Sequence, residues 1–169
     1  MNHTLQRRSA IIAVLMAVAA PAAFSETGGE AALREAIAGF QRAWNARDMA
    51  AWEALVTDDV RLQETYYHTD ESRQINNRER SRPQFENNFK SFDLDWSVQR
   101  IKMLPEGRAT VVMTMRHHAL PRGADGRYAA SFTTDPAITR WRLEGGRWRM
   151  AHFVTHQAYA REIVAKEGL

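Results

Sequence analysis

Arginine and histidine recur at fixed places in stretches that otherwise read as sheet core. In Arg108–Leu120, alternation puts Thr114, Arg116 and His118 on one strand face and Met113, Met115 and His117 on the other. In Ala137–His156, two runs rich in aromatic and branched residues flank the turn Glu144-Gly145-Gly146, and Arg140 and Arg142 share a face. A polar group on an apolar sheet face is solvated, paired, or lining a pocket. Turned inward, the guanidiniums of Arg116 and Arg140 form a fork for a carboxylate or another oxyanion. His118, in phase with Arg116, then faces the same space and is placed to shuttle a proton. Turned outward, the same residues make a solvated or dimer-facing surface with ordinary ion pairs. For Arg142, Arg147 and Arg149, close to the turn, the surface reading is preferred.

Other chemistries lack their signatures. His152 and His156 share a strand face but stand about 13 Å apart at strand rise, too far to ligate one ion. No HxH or HxxxH helix pattern occurs elsewhere, so no metal site is expected. A Gly-rich phosphate loop, a nucleophile elbow and a dinucleotide fingerprint are all missing, and no cofactor is expected.

The elements that must position these groups follow from periodicity. Residues 1–25 read as a secretory signal peptide: Arg7 and Arg8, then the apolar run Ala10–Ala20, then small residues at Ala23 and Ser25 before a cleavage site at Glu26. The run is too short to span a bilayer of about 30 Å. The sequence thus implies a periplasmic or secreted protein, with no membrane contact after cleavage and one domain over 26–169. The chain holds 23 basic and 20 acidic residues; without Arg7 and Arg8 the balance is 21 to 20, which gives no argument for nucleic acid. There is no cysteine, so the exported domain must hold through its core alone.

Leu33, Ile37, Phe40 and Trp44 fall at helical spacing in Glu30–Arg47, and Asp48 can cap a short helix carrying Met49, Trp52 and Leu55. Val60–Gln63 reads as a strand. Tyr66–Arg80 is polar and irregular, a candidate rim or lid. Ser81-Arg82-Pro83-Gln84 has the pattern that opens a third helix, with Phe85 and Phe89. Strands are predicted over Leu94–Met103, Arg108–Leu120, Tyr128–Thr134, Ala137–Leu143 and Arg147–Tyr159. Helices followed by long antiparallel strands imply α+β, with N-terminal helices closing a strongly curved sheet into a cone around a cavity.

This order resembles the nuclear transport factor 2-like superfamily, and within it the SnoaL-like proteins. The resemblance spans nearly all of 26–169 and is strongest in Phe40–Val60, at Phe85-Glu86-Asn87, and in Thr139-Arg140-Trp141 with Gly146–Phe153. The last pattern is similar to the association domain of calcium/calmodulin-dependent kinase, whose pocket arginines align with Arg116 and Arg140. A third falls near Thr155, which is uncharged here. The resemblance also places Glu64 near the carboxylate base of the ketosteroid isomerases. A buried carboxylate can have its pKa raised into a useful range; the alternative expectation is that Glu64 pairs with Arg116 or Arg140. Phe40 stands where those isomerases carry an oxyanion-donating tyrosine, which disfavours steroid isomerisation. Trp44, Trp52 and Trp96 read as core or cavity wall, and Tyr66 as a rim residue touching a ligand.

The resulting expectation is a small-molecule-binding domain for an anionic organic ligand held by Arg116 and Arg140, with Trp52, Thr155 and Tyr66 lining the site, and a homodimer through the exposed sheet. Two alternatives stand beside it. One is a cofactor-independent lyase or isomerase with Glu64 or His118 as base; the other is a non-catalytic assembly module.

Overall fold

The computed structural model describes residues 26–65 and 72–169. The leader and Tyr66 lie outside the described residues. Helix α1 (Glu26–Ala46) buries Leu33, Ile37, Phe40 and Trp44 along one stripe. Asp48 caps α2 (Met49–Leu55) by accepting from the Ala51 N–H at 2.9 Å. Then come β1 (Val56–Thr65), β2 (Ser72–Asn76), α3 (Arg78–Ser91), β3 (Phe92–Leu104), β4 (Arg108–Ala119), β5 (Ser131–Glu144), β6 (Arg147–Val154) and α4 (Gln157–Glu167).

The sheet runs β2-β1-β6-β5-β4-β3, with β1 and β6 parallel and the other neighbours antiparallel. Gly145 and Gly146, both at positive φ, turn β5 into β6, as the Gly-Gly pair demands. The inner face carries Trp96, Met113, Met115, Trp141, Met150 and Phe153, covered by α1, α2 and α3. The expected α+β cone is the fold observed.

Several elements differ from the sequence reading. Asn77, not Ser81, caps α3, accepting from the Arg80 N–H at 2.9 Å; Ser81 is buried and donates back to the Asn77 carbonyl. The two predicted strands around Asp135-Pro136 are one strand, β5. There two residues oppose the single Thr114, and the bulge tolerates a proline that cannot donate to the ladder. Strand β6 ends at Val154 rather than continuing to Tyr159. His156 caps α4, whose Ala160 and Ile163, with Leu169, seal Val112, Ile138 and Val154 on the outer face.

Helix α1 also closes the open edge of β3. Asn45 accepts from the Leu94 N–H and donates to the Leu94 carbonyl, Gln41 accepts from the Trp96 N–H, and the Trp44 indole donates to the Phe92 carbonyl. Side chains of a helix thus take the place of a neighbouring strand.

Candidate functional site

Strand phase decides which candidates meet. In β4, Val111, Met113 and Met115 belong to the inner core, whereas Val112 lies under α4 and Arg116 is exposed on the outer face. His117, not His118, therefore shares the inner face. His118 stacks on Tyr128 at 4.5 Å and contacts Ser131 Oγ through Nδ1 at 2.9 Å. Arg140 is also outward and pairs with Glu167 of α4. The structure thus does not bring Arg116, Arg140 and His118 into the cone.

Trp52 is fully buried and packs on Phe85 with ring centres 4.5 Å apart. Thr155 follows β6 and donates its backbone N–H to the Gln63 carbonyl at 2.8 Å, tying β6 to β1. Glu64 lies in β1, two residues beyond buried Leu62 and paired in register with Arg73; its side chain, like Tyr66, is outside what is described.

Inside the cone, Phe40, Phe85, Trp96 and Phe153 form one aromatic cluster, with Phe40 and Trp96 stacked at 4.9 Å. Within it the indole N–H groups of Trp52 and Trp96 are buried and find no acceptor among the described residues. His117 is the diagonal neighbour of Trp96 across β3 and β4, since Leu94 faces His117 and Trp96 faces Met115. Its ring stacks on Phe132 at 4.3 Å, its Nε2 is buried and unpartnered, and burial together with the neighbouring His118 pushes its pKa down to about 4. The imidazole is neutral at physiological pH. The arrangement offers donors in an apolar enclosure, the chemistry that selects a ligand by its acceptor atoms.

A second polar site was not anticipated. Asp93 is almost fully buried, and its carboxylate takes hydrogen bonds from Arg47 (2.5 Å), Arg122 (2.5 Å) and the Tyr128 hydroxyl (2.6 Å). Burial raises its pKa, but the bonds from Tyr128, Arg122 and Arg47 outweigh burial and hold it at about 2. Gln41, Asn45, Asp95 and His118 complete a cleft of about 540 Å3 outside the cone. In sequence, Asp93 beside Phe92 and Leu94 was the available signal, but nothing in it pointed to Arg47, 46 residues away.

The other candidates behave as surface groups. Arg142 pairs with Asp59 and Glu144, and the Arg142 guanidinium lowers the Asp59 pKa. His152 lies on the outer face beside Arg140, while Trp148 turns inward. Among the described residues no group of three or more potential ligands could hold a metal ion.

A family profile for the SnoaL-like domain matches residues 37–151. No curated protein sequence matches the chain significantly. Similar solved structures include a conserved protein from Planctomyces limnophilus (19% identity, TM-score 0.59, covering 76% of this chain and 94% of that one). An NTF-2 like protein of unknown function from Shewanella oneidensis shows 17% identity and a TM-score of 0.59, over 74% of this chain and 96% of its own. A ketosteroid isomerase-like protein from Erwinia carotovora atroseptica shows 16% identity and a TM-score of 0.56, over 73% and 92%. At such identities the structures speak for the fold alone, while the profile covers most of the chain. This chain belongs to the SnoaL-like domain family, within the NTF2-like fold.

Proposed function

We propose that the cone binds a small, largely apolar molecule bearing hydrogen-bond acceptors. The observation that carries this reading is the pair of buried, unpartnered indole donors of Trp52 and Trp96 within one aromatic cluster. A buried donor left unsatisfied costs roughly 1–3 kcal/mol, which an acceptor oxygen on a ligand removes. An anionic ligand, expected from Arg116 and Arg140, loses its support inside the cone: both face outward, and among the described residues no arginine or lysine is buried. The test is thermal shift and tryptophan emission of the protein against aromatic ketones and lactones and their hydrocarbon analogues. Stabilisation by the oxygenated compounds only, lost in Trp52→Phe with Trp96→Phe, supports the reading. Equal responses to both series, or none, overturn it.

A catalytic reading, a cofactor-independent lyase or isomerase, is favoured by one observation. His117 is a half-buried neutral imidazole whose buried Nε2 has no hydrogen-bond partner among the described residues, able to donate to a developing oxyanion as His118 on the outer face is not. Glu64 remains the base in this reading. Solvent deuterium incorporation into an identified ligand, abolished in Glu64→Gln, would establish it; retention of binding without exchange would reject it.

Export, with cleavage before Glu26, is supported by Arg7, Arg8, the apolar run and the small residues that follow. Amino-terminal sequencing of the periplasmic protein tests it. A homodimer through the outer sheet face has less room than a bare sheet would give, because α4 covers Val112, Ile138 and Val154. Light scattering on the eluted protein decides its mass.

A further inference from the structure

Side chains in register across the outer face form a row running over five strands. Arg61 of β1 pairs in register with His152 of β6, His152 with Arg140 of β5, Arg140 with Thr110 of β4, and Thr110 with Lys102 of β3. A second row lies beside it: Arg149 of β6, Arg142 of β5 and Arg108 of β4. Cross-strand partners share a face, so Arg149, Arg142 and Arg108 are direct neighbours and repel, while in the first row His152 and Thr110 separate Arg61, Arg140 and Lys102.

The acids that answer them are unevenly placed. Asp59 and Glu144 take Arg142, and Glu106 takes Arg108. Glu167, at the end of α4, holds Arg140 through its carboxylate and Lys102 through its backbone carbonyl. Among the described residues Arg61 and Arg149 have no acidic partner. Donors also outnumber acceptors here: Nε of Arg140, Arg142 and Arg149 and Nε2 of His152 are shut from solvent and find no hydrogen-bond acceptor among the described residues. Glu167 shows that a carboxylate docks on this face when one is supplied.

We propose that the outer sheet face is a binding site for a multivalent oxyanion, a phosphate group or a polycarboxylate, held between Arg61, His152 and Arg149 beside the Arg140–Glu167 pair. Two separated guanidiniums select an anion with at least two charged oxygens. The site is independent of the cone and lies on the opposite side of the sheet. Glu167 competes with the ligand for Arg140, as an internal carboxylate that caps one end of the row.

His152 reports occupancy directly. It faces Arg61 of β1 and Arg140 of β5, the latter paired with Glu167 of α4, and burial with the charges of Arg140 and Arg61 brings its pKa down to about 4. An anion seated between those arginines relieves their repulsion of the imidazolium. The experiment follows the His152 ring by NMR in the full chain, titrated with inorganic phosphate, citrate and, as monovalent control, chloride. The expected result is a saturable shift with phosphate or citrate, a His152 pKa raised by about one unit or more, and no saturation with chloride. Saturation by phosphate alone assigns a phosphate group; saturation by citrate alone assigns a polycarboxylate. Arg61→Gln with Arg149→Gln should weaken binding at least tenfold, Arg147→Gln at the exposed turn should leave it unchanged, and Glu167→Gln should tighten it severalfold. No saturable shift with either multivalent anion, or equal affinity in the double variant, overturns the proposal. Tightening in Glu167→Gln separates a ligand site from a structural cluster, since loss of a structural ion pair would not improve binding.

Discussion

Met115 and Arg116 are neighbours in β4, yet Met115 is fully buried among the rings of the cone and Arg116 stands in solvent on the far side. The inner face is held by area: large rings in mutual contact, excluding water, with few polar atoms, of which the Trp52 and Trp96 indole N–H groups find no acceptor among the described residues. The outer face is held by charge: α4 seals a small apolar patch, and beyond it arginines, a histidine and a few acids balance one another. The first arrangement resists changes of pH and salt; the second responds to both. The same contrast separates the aromatic cluster from the Asp93 clasp, where a single buried carboxylate holds two arginines and a tyrosine.

Substitutions should break this contrast in graded fashion. Phe85 touches Trp44, Trp52, Phe40 and Phe153, so Phe85→Ala should cost about 3–5 kcal/mol in urea unfolding, the largest effect expected. His117 is the place where pH reaches the inner face. Its folded pKa of about 4 lies below its unfolded value, so the unfolded state takes up more protons between pH 6.5 and 4. Stability should therefore fall by about 2–3 kcal/mol from this group as pH drops through that window, and His117→Phe should flatten the fall.

Asp93 has the same direction of dependence, in a more acidic range. Its carboxyl is depressed to about 2, so its contribution is complete above pH 3.8 and is lost as pH falls through about 2. Asp93→Ala should cost about 2 kcal/mol at pH 7 and abolish that acid-limb loss. Asn45→Ala leaves the Leu94 backbone edge uncovered; about 1 kcal/mol and measurable self-association at high concentration are expected. Trp52→Phe should be the mildest, within about 1 kcal/mol, because it deletes an unpartnered N–H while keeping an aromatic ring. A loss above about 3 kcal/mol there would mean that the indole is needed for packing rather than for a ligand.

The cone was legible because helical spacing in α1 and alternation in the long strands each have one clear period, as with Leu33, Ile37 and Phe40. The inward and outward sides of β4 were not. Val111, Val112, Met113 and Met115 are all buried, since α4 covers the outer side of Val112, and a strand apolar on both faces gives no phase. Choosing the opposite phase moved Arg116 and His118 into the cone and His117 out. Helix α4 itself escaped because a histidine caps it where Ser, Thr, Asp or Asn would have signalled a start. Gly168, in the left-handed conformation at its end, was the stop signal present in the sequence. The Asp93 clasp joins the end of α1, the start of β3 and the connection between β4 and β5, and no local pattern encodes such a meeting.

One hydrogen bond carries a kinetic consequence. The Trp148 indole donates to the Gly29 carbonyl at 3.1 Å, joining the first helix to the last hairpin across 119 residues. The amino-terminal half of α1 therefore has no finished seat until β6 has been made. Contacts of such long range slow folding and leave the nascent chain open. A ribosome stalled before Trp148 would leave Leu33 and Ile37 without their final cover, in a chain open to chaperone binding or transport but not yet able to close.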